Sequence, residues 1–324
     1  MITNIQLLRG VASLMVVVFH LVVKLQPFGL DGSQVSFLQA GVDIFFVISG
    51  FIMVYVSRLR ERSSGQFITD RIIRIVPIYW CLTLLVYAAG TTEARPVGDL
   101  LKSLAFVPSG NSPLFNPLID GGWTLNLEMY FYVIFAASMS LAREEKHRFA
   151  IVIGALAAVA AISGWAPGRY WPFYGNEIVF EFAIGMVIAR SMDWLALIGA
   201  AAAWGMVLAG TIVIMLEPFE PLGSRLLSDG LPAGLIVAGA ISLNAAEKRV
   251  AAPAALLLGT ISYALYLSHV LVFEAMNRIF AQAKLAFSPA VMAAYLALSL
   301  IIALLIAGLV HVMIERPATR LLKR

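Results

Sequence analysis

The stretch IQLLRGVASLMVVVFHLVVKL, residues 5–25, decides how the chain is read. A helix needs about 20 apolar residues to cross the hydrocarbon core of a bilayer, and this run is long enough. It nevertheless carries an arginine and a histidine. No A-x-A-like cleavage site follows it, and the histidine interrupts it, so it reads as a retained first span rather than a signal peptide. Arg9 and His20 lie about 16.5 Å apart along a helix axis, and eleven steps of about 100° return within ~20° of the starting direction, so both share one face.

The rest of the chain has the same character. Of its 324 residues, 60% are hydrophobic and 13% charged, against about 25% charged in a typical soluble domain. With a mean hydropathy of +0.88 there is too little polar surface to cover a water-soluble globule. Nine further apolar runs follow, near 41–58, 73–90, 122–141, 149–165, 174–191, 194–216, 231–246, 254–278 and 289–314. The sixth and seventh of the ten are closely joined, and the eighth is short enough to be re-entrant. The expected fold is all-α: a polytopic integral membrane protein of about ten transmembrane helices, with residues 1–324 forming a single domain. No convincing internal repeat or low-complexity linker stands out.

Ten spans place both termini on one side, and the basic residues then divide unevenly. Sixteen of the 23 lie on the terminal side, among them Arg9, Arg58, Arg60, Arg62, Arg71, Arg74, Arg143, Lys146, Arg148, Arg190, Lys248, Arg249, Arg316, Arg320, Lys323 and Arg324. Lys24, Arg95, Lys102, Arg169, Arg225, Arg278 and Lys284 lie on the other. The positive-inside rule puts both termini in the cytoplasm. The net charge of +4 follows this topology and forms no interleaved basic face, which argues against a nucleic-acid partner. The longest outer loops, 91–121 and 217–230, carry Pro, Asn and Asp and are too short for a separate domain. The single cysteine, Cys81, forms no disulfide within the chain and reads as packing. No grouping of His, Asp and Glu has metal-ligand spacing, and no GxGxxG or GxxxxGK[ST] phosphate loop is present, so no metal or permanently bound cofactor is expected.

Titratable side chains inside the spans carry the functional signal, because each is costly at bilayer depth. His20 falls in the outer half of the first span. Glu128, in GGWTLNLEMYFY, falls at similar depth on the fourth, so the two are an acid–base candidate; a packed histidine and a carboxylate bonded to Tyr132 are the plainer alternatives. Asp43, in GVDIFFVISGF, is a buried functional group or a first-turn charge favoured by the helix dipole. Arg71 and Arg74, in DRIIRIVPIYW, point one way at the cytoplasmic mouth and suit a phosphate or simple interfacial anchoring. Glu177 and Glu181, at i, i+4, either hold sugar hydroxyls or pair with Arg169. His269 shares a face with Ser262 and Tyr266 and reads as a packing or cavity-lining group. His311 and Glu315 read as a structural pair, and His147 as solvated.

The segments RGVASLMVVVFH, GVDIFFVISGFIM, DRIIRIVPIYW, WTLNLEMYFY, GTISYALYLSH and IERPATR together resemble the acyltransferase 3 family of membrane O-acyltransferases, in the branch that acylates exopolysaccharides. Some members carry an extra soluble domain after the tenth span, and the present chain is expected to lack one. The resemblance implies a cytoplasmic acyl-CoA donor, acetyl-CoA first among them, and a carbohydrate acceptor, free or lipid-linked, reached from the periplasmic side of a bacterial inner membrane. It implies Arg9 and His20 as the family's first-span pair, Arg71 and Arg74 as its basic motif, and Glu128 as its acidic residue.

Acyl transfer from a thioester to a hydroxyl needs a base, oxyanion stabilisation and alignment. In the expected mechanism His20 is the base and Glu128 orients it or holds the acceptor. Arg9, Arg71 and Arg74 grip the phosphates of coenzyme A, while Asp43, Glu177, Glu181 and His269 face the substrate. A pantetheine arm is comparable in length to the Arg9–His20 separation and would thread along their shared face. A covalent relay through a histidine or Ser49 stays open. So do two other classes: a transporter or flippase of a polysaccharide precursor, and a scaffold subunit bound to polysaccharide assembly machinery.

Overall fold

The computed structural model describes residues 2–26, 31–60, 62–90, 96–109, 115, 117–216, 223–246, 252–283 and 288–322. Arg95, Lys248, Arg249, Lys284, Lys323 and Arg324, used in the charge argument, lie outside the described residues, as do parts of both long loops. Among the described residues the chain is helical and contains no strand. That is the expected outcome in lipid, where a backbone must satisfy its own hydrogen bonds.

The helices are α1 (Thr3–Val23), α2 (Gly41–Leu59), α3 (Ser64–Ala88), α4 (Val97–Leu104), α5 (Trp123–Leu141), α6 (Glu145–Ser163) and α7 (Tyr170–Tyr174). They continue with α8 (Phe180–Arg190), α9 (Met192–Leu195), α10 (Ala200–Leu216), α11 (Leu231–Ala245), α12 (Pro253–Gln282), α13 (Pro289–Val310) and α14 (Arg316–Leu322). Each of the ten apolar runs is helical. Among the described residues eight helical stretches are long and apolar enough to cross a membrane. The helix α10 is apolar but shorter, and α5 has a polar first half containing Asn126 and Glu128.

Local sequence explains the interruptions. Ser63 and Gln66 form a capping box that starts α3, which then runs through Pro77 without ending. The run at 174–191 is not one continuous helix. After α7, Asn176 caps a short 3₁₀ turn, Glu177–Val179, by accepting from the Ile178 N–H at 3.0 Å, and α8 follows. Glu177 and Glu181 therefore do not form the expected i, i+4 pair on a regular helix. The run at 194–216 is likewise split between α9 and α10. The short eighth run is lengthened by a π-turn, Leu226–Gly230, which brings it to 20 residues.

Burial orders the bundle. In the stretches containing α2 and α11, 72% of the apolar window is buried, against 11% for α6 and 22% for the stretch containing α13. The first two form the centre and the last two present side chains outward. Charges collect at opposite ends. Arg58 bonds Glu145 through Nε at 2.6 Å and the Ala189 carbonyl at 2.7 Å, with Arg190 near the same carboxylate at 3.6 Å. At the other end Lys24 meets Glu274 at 3.8 Å.

Helices α1 and α12 run side by side in the same direction. A Cβ at Gly259 would sit 2.0 Å from the Gln6 carbonyl oxygen, and one at Gly10 would sit 3.0 Å from the Gly259 nitrogen. Only glycine permits this approach. Farther along, the Ser13 hydroxyl donates to the Ser262 carbonyl at 3.2 Å. Gly259→Val is expected to push the two helices apart and destabilise the fold by about 1–3 kcal/mol. Gly308→Ala, with nothing near its Cβ, is the neutral control. Thermal unfolding in detergent checks both; equal melting temperatures for the two variants would contradict the packing.

Candidate functional site

The α1–α12 register brings two imidazoles together. His20, in the last turn of α1, places Nδ1 3.0 Å from the Val16 carbonyl and 3.2 Å from His269 Nε2. The ring centroids are 5.1 Å apart, tilted by 40°. His269 is buried, and its Nδ1 lies 3.1 Å from the Leu265 carbonyl. His20 is half-buried.

Nearer the basic end, α1, α2, α3, α5 and α12 enclose a cavity of about 110 Å³. A single water needs about 10–15 Å³ on this measure, so the space holds several. It is lined by Arg9, Arg71 and Arg74 together with Ser49, Glu128, Tyr132, Tyr263 and Tyr266. Three guanidiniums face one carboxylate, so the cavity favours anions. Arg71 is nine-tenths buried, and its Nε has no hydrogen-bond partner among the described residues. Its guanidinium carbon lies 5.7 Å from the Phe67 ring centroid and 6.0 Å from that of Tyr132. Planar, multiply donating guanidiniums suit phosphate oxygens. Arg9 donates to the Gln6 side chain at 3.3 Å.

Glu128 sits inside this cluster rather than beside His20. Its Oε1 accepts from the Ser49 hydroxyl at 3.1 Å and from the Tyr132 hydroxyl in a short bond. The expected contact between Glu128 and His20 is replaced by these bonds; the partner of His20 is His269.

The expected open passage from Arg9 to His20 is also corrected. Among the described residues neither histidine lines the cavity. Tyr266 stands between: it lines the cavity, and its ring lies 6.2 Å from that of His269. Its hydroxyl is 2.9 Å from the Thr124 hydroxyl and donates to the Gly121 carbonyl at 3.2 Å, while Thr124 donates to the same carbonyl at 2.9 Å. Gly121 has φ +82°, a conformation that favours glycine and aims this carbonyl at the two hydroxyls. On α12, Tyr263, Tyr266 and His269 fall at three-residue steps, so one face passes from the cavity through the partition to the imidazoles.

The remaining candidates gather at the end opposite the Arg58 cluster. Asp43 is fully buried and bidentately paired with Arg225, at 2.9 and 2.8 Å. Burial alone lowers the Arg225 pKa, and the Asp43 carboxylate reverses this and carries it above its ordinary value. Glu177 accepts from the Ser224 hydroxyl at 2.6 Å and the Arg225 backbone N–H at 2.7 Å. Glu181 is fully buried beside Asp43, against Gly230. Arg169 lies over the Phe115 ring at 4.3 Å. Asp43 and Glu177 hold Arg225 and Ser224 in place; the groups facing the adjoining polar cleft, of about 340 Å³, are Ser36, Gln39, Ser224, Arg225, Ser228 and Asp229. Arg225 and Tyr263 were not site candidates from the sequence, and Tyr266 was named only as sharing the His269 face, since no local pattern ties Arg225 to a partner 182 residues away. His311 and Glu315 bond at 2.7 Å in a π-turn, as the structural pair expected.

The acyltransferase domain profile of the acyltransferase 3 family matches residues 2–308. The chain belongs to the acyltransferase 3 family. Among its relatives is the exopolysaccharide production protein ExoZ of Rhizobium meliloti (strain 1021), 33% identical over 89% of this chain and 92% of that protein. The acyltransferase MdmB of Streptomyces mycarofaciens is 24% identical over 87% of this chain and 81% of its own length. The putative membrane-bound transacylase BcsY of Komagataeibacter xylinus is 26% identical over 56% of this chain and 49% of its own. No solved structure gives a significant match. This acyltransferase 3 member is thus a multi-pass membrane acyltransferase, and five of its six segments quoted above fall on the helices that build the cavity and the histidine pair, while IERPATR falls on the terminal π-turn and α14.

Removing Arg225 leaves the buried Asp43 carboxyl without its partner. Arg225→Ala is expected to destabilise the protein by roughly 3–5 kcal/mol, read as a fall in thermal unfolding temperature. Arg169→Ala at the same end is expected to have a smaller effect, and equal effects would contradict the assignment.

Proposed function

We propose that this protein transfers an acyl group, acetyl first among the candidates, from cytoplasmic acyl-CoA to a hydroxyl of an exopolysaccharide or other cell-surface glycan intermediate. The setting is a bacterial inner membrane with both termini in the cytoplasm. The observation that carries the donor half is the clustering of Arg9, Arg71 and Arg74 around one cavity with a single opposing carboxylate. Phosphates of coenzyme A satisfy those guanidiniums and the unpartnered Arg71 Nε. The similarity to a protein named for exopolysaccharide production supports the acceptor class.

His20 is the base. It takes the proton of the acceptor hydroxyl as that oxygen attacks the thioester carbonyl; the carbon–oxygen bond forms, the carbon–sulfur bond breaks, and the proton passes to the departing thiolate. The thioester reaches His20 once Tyr266 swings from the Gly121 carbonyl, so the partition separates donor and acceptor until both are bound. The polar cleft beside Arg225 receives the glycan. Partners are therefore acyl-CoA, the carbohydrate and the bilayer, with polysaccharide assembly machinery as a source of acceptor.

A second reading has its own observation. Ser49 faces the arginine cavity and donates to Glu128, so it is placed for a covalent acyl-serine relay.

Purified protein in nanodiscs, given acyl-CoA and an acceptor oligosaccharide, is expected to release free thiol only when acceptor is present. His20→Ala is expected to lower kcat by roughly 10²–10⁴-fold. Arg71→Gln and Arg74→Gln are expected to raise KM for acyl-CoA and leave KM for the acceptor unchanged. Intact thioester with wild-type protein would indicate a transporter, full activity of folded His20→Ala would remove the base, and loss of activity in Ser49→Ala with a trapped acyl group in wild type would favour the relay.

A further inference from the structure

We propose that His269 is a positioning residue that holds His20 as the Nδ1–H tautomer, so that Nε2 presents its free lone pair to the acceptor hydroxyl. This rests on the reading of His20 as the base.

The hydrogen bonds determine the tautomers. A carbonyl oxygen only accepts. His269 Nδ1 lies 3.1 Å from the Leu265 carbonyl, so that nitrogen carries the proton. A neutral imidazole has one N–H, so His269 Nε2 is an acceptor. That atom lies 3.2 Å from His20 Nδ1, which must therefore donate. The same conclusion follows independently from the Val16 carbonyl, 3.0 Å from His20 Nδ1. The opposite tautomer would set a lone pair against two acceptors at once. His20 Nε2 is the nitrogen left for chemistry.

The arrangement works through the reaction. When His20 takes the hydroxyl proton at Nε2 it becomes cationic, and its Nδ1–H is already shared between the Val16 carbonyl and the His269 lone pair. The ring neither turns nor changes tautomer before passing the proton to the thiolate. His269 contributes this without contacting either substrate, being buried with its other nitrogen held by its own helix.

The sequence builds the pair twice over. GVASLMVVVFH, residues 10–20, and GTISYALYLSH, residues 259–269, share one spacing: glycine, serine three residues on, histidine seven beyond that. In both, the glycine opens the close approach, the serine follows one turn on, and the histidine faces its counterpart farther along.

The chain has four histidines, so ¹⁵N labelling of imidazole gives a spectrum assignable by single substitutions. In wild-type protein above neutral pH, His20 is expected to show Nδ1 protonated and Nε2 bare. His269→Ala is expected to yield mixed tautomers at His20 and to lower kcat on the order of 10–100-fold, below the full ~10⁴-fold range of a general base, with KM unchanged for both substrates. His269→Gln, whose side-chain carbonyl accepts from Nδ1–H, is expected to restore most of kcat. A protonated Nε2 at His20 in the wild type, or wild-type kcat in His269→Ala, overturns the proposal. If His269→Ala does not fold, the wild-type spectrum and His269→Gln decide. Inactive His20→Ala beside fully active His269→Ala would remove only the tautomer lock; active His20→Ala would remove the base reading itself.

Discussion

The parallel contact of α1 with α12 is the constraint on which the site depends. It is fixed at three levels by one sequence offset of 249 residues, seen in the Ser13–Ser262 hydrogen bond and the His20–His269 contact and begun at Gly10 and Gly259. Lipid tails are as apolar as leucine, so helices in a bilayer associate through close backbone approach and interhelical hydrogen bonds. The two glycines supply the first and the serine the second. Ten residues on from the glycines, about 15 Å along the axis, the same register sets the imidazoles side by side.

That single contact divides the protein's chemistry between two compartments. Below Tyr266 the lining is cationic, from Arg9, Arg71 and Arg74, with Glu128 balanced by Ser49 and Tyr132. Above it are the imidazole pair and, at the same end of the bundle, the Arg225 loop braced by Asp43 and Glu177. The partition is made of three groups, Tyr266, Thr124 and the Gly121 carbonyl, joined by hydrogen bonds, with the buried Tyr266 ring also packed edge-on against Phe45.

The architecture was legible in the sequence because long apolar runs have one solution in lipid, and all ten proved helical. The arginines were legible too, since buried guanidiniums and their i, i+3 spacing point to one mouth. What the sequence concealed was partnership. Matched depth suggested Glu128 for His20, but depth leaves the azimuth of each helix free, and α5 turns Glu128 toward the arginines. Spacing suggested a Glu177–Glu181 face, and the cap at Asn176 broke it. The pairing with His269 had left a trace, the repeated G-x₂-S-x₆-H, too brief to count as a repeat until the two copies are seen in contact.

Catalysis at His20 requires that the thioester of a donor gripped by the arginines arrive there. An experimental structure with a non-transferable acyl-CoA analogue tests this most directly. The account predicts phosphates on Arg71 and Arg74, Tyr266 displaced from the Gly121 carbonyl, and the acyl carbon within reach of an acceptor oxygen bonded to His20 Nε2, with the reacting atoms about 3–3.5 Å apart. A coenzyme bound away from the arginines, or one whose acyl group ends against Ser49 beneath an unmoved Tyr266, would contradict it.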